Sequence, residues 1–294
     1  MIAVPATFRE MPRWRYDDSG RDWLDRLPAL VDRQCRRWQL VVDGAVLHGS
    51  NALVLPVRRG DEMAVLRLAP PGDDVAAEVA ALRHWDGRGV VRLREADTAA
   101  GASLLERLDA GRTLQTQPVQ EAVATLGALT RVLAVDAPDT APGTGEIAAG
   151  AVATFEPDWE ELGRPTSRAI LAGVIDAAAR LAAGRDAQFS VNGDLHFEQV
   201  LAGGRFPWTV VDPVLLRGDP EYDIGRVLWS RLDELPGDDD VSAAFDAFIA
   251  AAEVPADRAR AWVTVRSMSY LLWGLRRGLT WDPPKCLRLL DLFA

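Results

Sequence analysis

Two aspartates in the C-terminal half, Asp194 and Asp212, have the residue types and spacing for phosphoryl transfer. Asp194 follows Asn192-Gly193 in a polar loop, and Asp212 follows an apolar run later in the chain. A hairpin between them would return the second carboxylate beside the first. In phosphoryl transfer one carboxylate accepts the proton of the attacking hydroxyl, and another holds magnesium against the phosphates. The same residues are also typical of an Asx-turn and an Asp-Pro turn, so residue types alone leave both interpretations open.

The N-terminal third has the pattern of a small antiparallel sheet accompanied by helices. Short runs rich in valine and leucine, separated by turn residues, predict a meander of strands. Apolar residues at helical spacing predict one helix before this meander and another after Pro70-Pro71-Gly72. The predicted helices are 23–40 and 75–85, and the predicted strands are 41–47, 52–57, 63–68, 90–93 and 102–108.

The remainder of the chain is mainly helical by pattern. Long periodic segments predict helices at 119–133, 167–183, 241–252 and 256–275, with a loop at 136–145. One β-loop-β segment, 189–211, interrupts the helices and contains the polar loop with Asp194. A mostly β N-terminal third therefore meets a mostly α remainder.

The bulk composition predicts a soluble globular protein. The chain has 294 residues, 48% of them apolar, which is enough to bury a core. No segment approaches the roughly 18 apolar residues that a membrane span needs, and the N-terminus lacks the apolar segment of a secretory signal. We therefore expect a cytoplasmic protein without membrane association. Cys35 and Cys286 are distant in sequence, which suggests neither a disulfide framework nor a zinc site.

The charge balance bears on the class of partner. The chain has 33 basic and 43 acidic residues, a formal charge of −10. This balance argues against nucleic acid as the main partner, because phosphate backbones require basic patches. A cationic ligand would be attracted more readily, although net charge of this kind also simply maintains solubility. Lys285 is the only lysine, and every other basic residue is arginine.

A family resemblance extends over nearly the whole chain. The segments that carry it are 23–28 (WLDRLP), 53–58 (LVLPVR), 64–71 (AVLRLAPP), 81–93 (ALRHWDGRGVVRL), 104–108 (LLERL), 193–200 (GDLHFEQV) and 211–223 (VDPVLLRGDPEYD). Through them the sequence resembles the aminoglycoside phosphotransferase superfamily, and within it the streptomycin 6-kinase and hydroxyurea phosphotransferase family. The resemblance implies an α+β, bilobal, protein-kinase-like fold. Its antiparallel, five-stranded N-lobe would be residues 1–108, and its mainly helical C-lobe, with the catalytic loop and acceptor site, 109–294.

The resemblance also implies a role for particular residues. Asp194 would be the general base and Asp212 a magnesium ligand. Glu78 would pair with the basic residue of the third strand, and Glu106 to Leu108 would form a hinge whose main chain meets adenine. The implied cofactors are ATP and Mg²⁺. The implied reaction transfers the γ-phosphoryl to a hydroxyl of a small polar acceptor, with an aminoglycoside such as streptomycin favoured.

Three positions depart from the family pattern. The third-strand lysine is replaced by Arg67, the catalytic-loop asparagine by Gln199, and the histidine before Gly-Asp by Asn192. A guanidinium differs from an ammonium in shape and hydration, and glutamine adds a methylene that displaces its amide. Two interpretations follow: an active kinase that has exchanged lysine for arginine, or a catalytically impaired or repurposed kinase fold. A kinase of natural-product biosynthesis is a further alternative to a resistance enzyme.

Acidic residues close after the second aspartate suggest where an acceptor binds. Asp219, Glu221 and Asp223 follow the apolar segment after Asp212. We expect these carboxylates to contact a cationic acceptor. His196 lies in the same loop, and the sequence leaves open whether it takes part in the site or merely packs or caps the loop. The sequence makes no prediction of the oligomeric state.

Overall fold

The computed structural model describes residues 2–184 and 188–294, and the chain divides into two compact units. The first comprises the chain up to Asp109 together with Gly203–Thr209, and the second comprises Ala110–Ala202 and Val210–Ala294. The division expected from the sequence included Gly203–Thr209 in the C-lobe, whereas the structure groups this segment with the first unit. Each unit is described on its own below.

The first unit contains a mostly antiparallel sheet and helices that pack on it. Its helices are α1 (Ala6–Arg9), α2 (Asp18–Trp38) and α3 (Val75–Trp85), and its sheet strands are β1 (Val41–Val42), β2 (Leu47–His48), β3 (Leu53–Arg59), β4 (Glu62–Leu68), β5 (Leu93–Asp97) and β6 (Ala102–Glu106). The strand order is β1-β3-β4-β6-β5, with β2 also paired to β3. All the strand pairs of this sheet are antiparallel.

The long helix α2 supplies one layer of the first unit's core. The Asp17 side chain caps its start by accepting from the N–H of Gly20, and Gln39 ends it in a left-handed conformation. Its apolar face packs against alternating buried residues of β3 and β4. Each fully buried leucine in such a layer contributes about 1.5–3 kcal/mol. The core residues are Trp23, Leu24, Leu27, Val31 and Trp38 of the helix with Leu53, Leu55, Val57, Ala64, Leu66 and Leu68 of the sheet.

Two strand predictions need correction in this unit. The predicted strand 41–47 is divided into β1 and β2, which pair separately with β3, and between them the Asp43 carboxylate pairs with Arg107. The predicted strand 90–93 begins only at Leu93 and continues to Asp97.

The second unit is mainly helical. Its helices are α4 (Val119–Leu133), α5 (Thr144–Glu161), α6 (Arg168–Ala182), α7 (Ile224–Ser230), α8 (Asp238–Ala252), α9 (Ala256–Arg276) and α10 (Asp282–Phe293). Helix α9 is central and contacts α5, α6, α7 and α10, while α4 packs against α8. Because α9 has neighbours on several sides, its buried residues are spread around its circumference. The sequence patterns had not identified α5, α7 or α10.

Short strands frame the loops of interest. They are β7 (Asp109–Thr113), β8 (Phe189–Asn192), β9 (Val200–Ala202), β10 (Trp208–Val210) and β11 (Leu215–Gly218). β8 pairs with β11, and β9 lies between β10 and β7. Asp194 therefore lies in the connection from β8 to β9, and Asp212 in the connection from β10 to β11. The β-loop-β segment predicted over 189–211 thus takes part in three strand pairings, β8 with β11 and β9 with both β10 and β7.

Among the described residues, none of the helices combines the length and apolar character required to cross a membrane.

The close packing of α4 on α8 can be tested at a glycine. A Cβ atom on Gly127 of α4 would lie 2.5 Å from the carbonyl oxygen of Phe248 and 3.0 Å from the Cβ of Ala251. We expect Gly127→Ala to lower the free energy of unfolding by about 1–3 kcal/mol, because a packed interface must separate. Urea unfolding measures this change.

Gly150 in α5 provides the matched control, because no atom lies within 4 Å of a Cβ placed there. Gly150→Ala should raise the free energy of unfolding by roughly 0.5–1 kcal/mol through helix propensity alone. Equal effects of the two substitutions would contradict the tight α4–α8 contact.

Candidate active site

The loop that carries Asp194 begins at a fixed pair of strands. Where β8 ends and β11 begins, the Asn192 side chain accepts a hydrogen bond from the N–H of Val214 at 2.9 Å. The N–H of Gly193 donates to the carbonyl oxygen of Val214 at 2.8 Å. A Cβ atom at Gly193 would lie 2.6 Å from a side-chain carbon of Leu216, so a glycine fits this position. These contacts fix the backbone directly before Asp194.

The same loop is also held from the interior of the second unit. The N–H of Leu195 donates to the carboxylate of Asp223 at 2.9 Å. Asp223 is buried, and Arg266 on α9 reaches its other carboxylate oxygen at 3.4 Å. Burial raises the pKa of Asp223 to about 7, although Arg266 and the hydrogen bond from Leu195 act in the opposite direction. Asp194 is therefore anchored on both sides along the chain.

The Asp194 carboxylate is positioned by two side chains but remains accessible. The Nε of Arg226, on α7, lies 3.3 Å from one carboxylate oxygen, and the Nε2 of Gln199 donates to the other at 3.1 Å. The side chain is 39% exposed. Burial raises the pKa of Asp194, and this effect is partly offset by Arg226, Arg266 and Gln199. An accessible carboxylate with a raised pKa is suited to accept a proton.

Gln199 connects the two predicted aspartates. Its carbonyl oxygen accepts a hydrogen bond from the N–H of Val211 at 2.9 Å, which ties the loop to the residue before Asp212. Its side-chain Nε2 is committed to Asp194, whereas its Oε1 is buried and has no hydrogen-bond partner among the described residues. A buried amide oxygen without a partner is energetically costly unless a cation or donor approaches it.

The residues around Gln199 fit a magnesium ion. Mg²⁺ takes oxygen ligands and is commonly held by one or two carboxylates together with water and substrate phosphates. Asp212 and the Oε1 of Gln199 are ligands of this kind. Within residues 2–184 and 188–294 there is no cluster of three or more acidic, histidine or cysteine side chains that would hold a metal by protein ligands alone.

His196 contributes no positive charge to this loop at neutral pH. Its Nε2 lies 3.9 Å from an Asp194 carboxylate oxygen, and its side chain is largely buried. Burial lowers the pKa of His196 to about 4, and the charge of Arg226 adds to this effect, while Glu198 and Asp212 oppose it. Its side chain makes no capping hydrogen bond at the short helical turn that follows. The side chain therefore packs in the loop and does not cap it.

In the first unit, Arg67 and Glu78 form an ion pair. Arg67 lies on β4, and its Nη1 is 2.5 Å from a carboxylate oxygen of Glu78 on α3. Both side chains are about nine-tenths buried. Asp74 caps the start of α3 by accepting from the N–H of Ala77, which fixes the helix that presents Glu78. The basic side chain expected at this position is therefore held by the expected partner.

Glu106 and Leu108 lie where β6 ends. The side chain of Glu106 accepts from the N–H of Arg92 at 2.8 Å, and its own N–H donates to the carbonyl oxygen of the same residue. Leu108 is half-buried beside Gly203 and Gly204. Residues 106–108 thus belong to the first unit. The first of them, Glu106, is hydrogen-bonded to Arg92, the residue before β5.

The three carboxylates expected to meet an acceptor are buried instead. Asp219 accepts from Trp262 at 2.8 Å and from Arg258, and Glu221 lies 3.7 Å from the Nε of Arg258. Asp223 holds the main chain of the catalytic loop, as described above. At 0–2% exposure none of the three is accessible to an acceptor in this structure. In this structure Arg258 and Arg266 of α9 pair with these carboxylates.

Comparison with known proteins agrees with this geometry. The family model described as aminoglycoside/hydroxyurea antibiotic resistance kinase matches residues 37–278. The chain is 38% identical to the streptomycin 6-kinase of Streptomyces griseus, over 100% of this chain and 97% of that protein. It is 37% identical to the hydroxyurea phosphotransferase of Kitasatospora aureofaciens, over 95% and 82%. The chain belongs to the aminoglycoside/hydroxyurea antibiotic resistance kinase family.

A solved structure shows the same fold. A thermostable mutant of aminoglycoside phosphotransferase APH(4)-Ia, in a ternary complex with ADP and hygromycin B, superposes with a TM-score of 0.65 at 17% identity. The alignment covers 90% of this chain and 98% of that one. The predicted family and the predicted protein-kinase-like fold are confirmed, and the chain is a small-molecule kinase.

Sequence reasoning missed two arginines of this kinase. Arg226 contacts Asp194, and Arg266 contacts Asp223 while its guanidinium lies 4.3 Å from the centre of the Tyr222 ring. Arg226 stands three residues after Asp223, a spacing that places both near one side of a helical turn. This spacing was a local signal that could have been used. Arg266 has no comparable signal, since its proximity arises only from the packing of α9.

The burial of His196 predicts a pH dependence of stability. As the pH falls from 6.5 towards 4, the unfolded chain takes up a proton on this imidazole that the folded chain does not. The wild type should therefore lose stability relative to His196→Gln, by up to roughly 3 kcal/mol at the acid end. Unfolding free energies measured across this range test the sign and size.

His196→Asn is the matched variant, because it also removes the imidazole. Its difference from wild type should follow the same pH course as that of His196→Gln. A flat difference between wild type and His196→Gln would show that His196 is not buried as a neutral group.

Proposed function

We propose that this kinase uses ATP and magnesium to phosphorylate a hydroxyl group of a small polar antibiotic, with a streptomycin-type aminoglycoside as the first candidate. The observation that carries the proposal is the arrangement of Gln199, whose amide nitrogen orients Asp194 while its buried amide oxygen has no partner among the described residues. The similarity to a streptomycin 6-kinase and to a hydroxyurea phosphotransferase supports the class of acceptor.

Asp194 would act as the general base. Its carboxylate is accessible, and Arg226 and Gln199 hold it in one orientation. An acceptor hydroxyl bound against it would donate its proton to the carboxylate as the oxygen attacks the γ-phosphorus. Catalysis of this reaction depends mainly on positioning and charge neutralisation, and a misplacement of about 1 Å can cost roughly a hundredfold in rate. The double anchoring of the loop serves this requirement.

Asp212 and Gln199 would hold the magnesium ion. When bound, the ion neutralises charge on the phosphates of the nucleotide. The Gln199 amide donates its nitrogen to Asp194 and leaves its buried oxygen without a hydrogen-bond partner among the described residues. The substitution at this position therefore does not by itself argue against catalysis.

Residues of the first unit would bind the nucleotide. Arg67 would contact the phosphates, with Glu78 fixing the direction of its guanidinium. A planar guanidinium matches phosphate oxygens with two parallel donors, so an arginine can take this role if its position is constrained. Main-chain groups of residues 106–108, from Glu106 to Leu108, would contact adenine. Because the reaction consumes ATP, we propose the cytoplasm as its compartment.

Replacing Asp194 should slow phosphoryl transfer without weakening nucleotide binding. We expect Asp194→Asn to lower kcat by about 10²–10⁴-fold, because proton transfer by a positioned base contributes that much, while MgATP binding stays unchanged. The rate is measured as the transfer of labelled phosphate from ATP to streptomycin. Asp239→Asn, at an exposed position of α8, is the control and should retain activity. Full activity of the Asp194 variant would remove this residue from the base role.

Magnesium dependence tests the metal ligands. In calorimetric titrations, wild-type protein should bind ATP more tightly with magnesium than without it, and Asp212→Asn should lose most of this difference. At about 100 times its dissociation constant MgATP should also stabilise the fold by about 2.7 kcal/mol.

The same titrations separate the rival function. No nucleotide binding at millimolar ATP would favour a repurposed kinase fold, in line with the changes at Arg67 and Gln199. Magnesium-dependent binding without transfer to streptomycin would instead redirect the search to other hydroxylated acceptors, hydroxyurea first.

A further inference from the structure

The first unit contains a groove. None of the residues that line it has been assigned a role in catalysis or in nucleotide binding. Its volume is about 570 Å³. One wall is helix α2, and the other is formed by the segment from Ala69 to Val75 and by residues 97–101. Pockets for small molecules usually have volumes of about 300–1,000 Å³, so a compact organic ligand fits this space.

The wall on α2 has an unusual composition. The groove-lining residues Trp23, Arg26, Leu30, Arg33 and Arg37 follow one another at spacings of three and four, which places them along one face of the helix. A stripe of this kind is normally apolar where a neighbouring element covers it. Here three of its five positions are arginine. Arginine stems can cover apolar surface, but an open groove of this size leaves the guanidinium groups beside unfilled space.

Part of this positive charge is not neutralised within the unit. Arg37 pairs with Asp97, and the other lining carboxylate, Asp73, pairs with Arg13. Arg26 donates its Nε only to the main-chain oxygen of Asp22, and Arg33 makes neither a hydrogen bond nor an ion pair with any part of the chain that the structure describes. Two guanidinium groups therefore remain in surplus in a protein whose net charge is −10.

The opposite wall is rigid and largely apolar. It includes Pro70 and Pro71, whose rings fix the backbone. The N–H of Ala69 donates to the carbonyl oxygen of Gly101 at 2.9 Å, which joins the two segments of this wall. A Cβ atom at Gly101 would lie 2.6 Å from the oxygen of Ala69, so the close approach depends on the glycine. The groove is thus formed before any ligand binds.

We propose that this groove binds a small organic phosphate with a flat apolar body. Its phosphate would lie against Arg26 and Arg33, since guanidinium groups bind phosphate oxygens through paired donors. Its body would occupy the apolar surface of Leu30, Pro70 and Pro71.

A ligand in this groove would contact the segment that connects Arg67 to Glu78 along the chain. The segment from Ala69 to Val75 joins β4, which carries Arg67, to α3, which carries Glu78. A ligand that contacts this segment would restrain it. Slower amide exchange at residues 72–75 and 98–101 on binding is therefore expected.

The probe for the test is 1-naphthyl phosphate, titrated by calorimetry into the full chain in the presence of ADP and magnesium. We expect the double variant R26Q/R33Q to bind it about tenfold more weakly, as loss of charged hydrogen bonds predicts. Arg36→Gln is the matched control, because Arg36 lies on the same helix, is exposed and does not line the groove. It should bind the probe like wild type.

Further measurements locate the site and exclude general attraction. 1-Naphthol and inorganic phosphate should each bind more weakly than the probe, since each lacks one of the two contacts. Hydrogen exchange should slow in the groove walls of wild type and not of the double variant. The proposal is overturned by no binding at millimolar probe, by equal weakening in Arg36→Gln, or by exchange protection that maps elsewhere. These outcomes are independent of whether the kinase phosphorylates streptomycin.

Discussion

The hydrogen bond from the main chain of Leu195 to the buried carboxylate of Asp223 determines where the catalytic loop lies. A carboxylate in the interior must be paired or neutralised, because an isolated buried charge is costly. Asp223 satisfies this requirement with Arg266 and with the loop N–H. Losing a hydrogen bond so that a buried acceptor is left unsatisfied costs about 1–3 kcal/mol, so the loop is held at this anchor. Because Asp194 directly precedes Leu195 in the chain, this hydrogen bond also restrains the position of Asp194.

The arginines of α7 and α9 extend this constraint through the second unit. Arg258 pairs with Asp219, Arg266 with Asp223, and Arg226 with Asp194. In the first two pairs the carboxylate is fully enclosed, whereas Asp194 remains accessible. The same chemical pairing therefore has two consequences. Where the carboxylate is enclosed, the pair fixes the fold, and where it is accessible, the pair orients a group that can still accept a proton.

Helices whose apolar residues recur at regular spacing were predictable from the sequence. The bounds predicted for α3 and α4 match the structure because each helix buries one apolar face at regular spacing. Helices α5 and α10 were not predicted, and each contains proline, but proline alone is no explanation because the predicted helix α2 contains Pro28. Pro157 lies inside α5, and Pro283 stands in the first turn of α10, where a missing N–H costs nothing. Local pattern does not distinguish these cases from true breaks.

The site itself was only partly predictable. The residue types and spacing of Asp194 and Asp212 left phosphoryl transfer and two turns both open, and the family resemblance decided between them. The acidic residues after Asp212 were interpreted as ligands of a cationic acceptor, because only the packing of α9 reveals the arginines that pair with them. Gln199 shows the same limit. In the sequence it is a displaced metal ligand, whereas in the structure its amide nitrogen donates to Asp194 and its amide oxygen is buried without a hydrogen-bond partner among the described residues. Whether a substitution impairs a site thus depends on the distance its side chain must span, which is a property of the fold and not of the residue type.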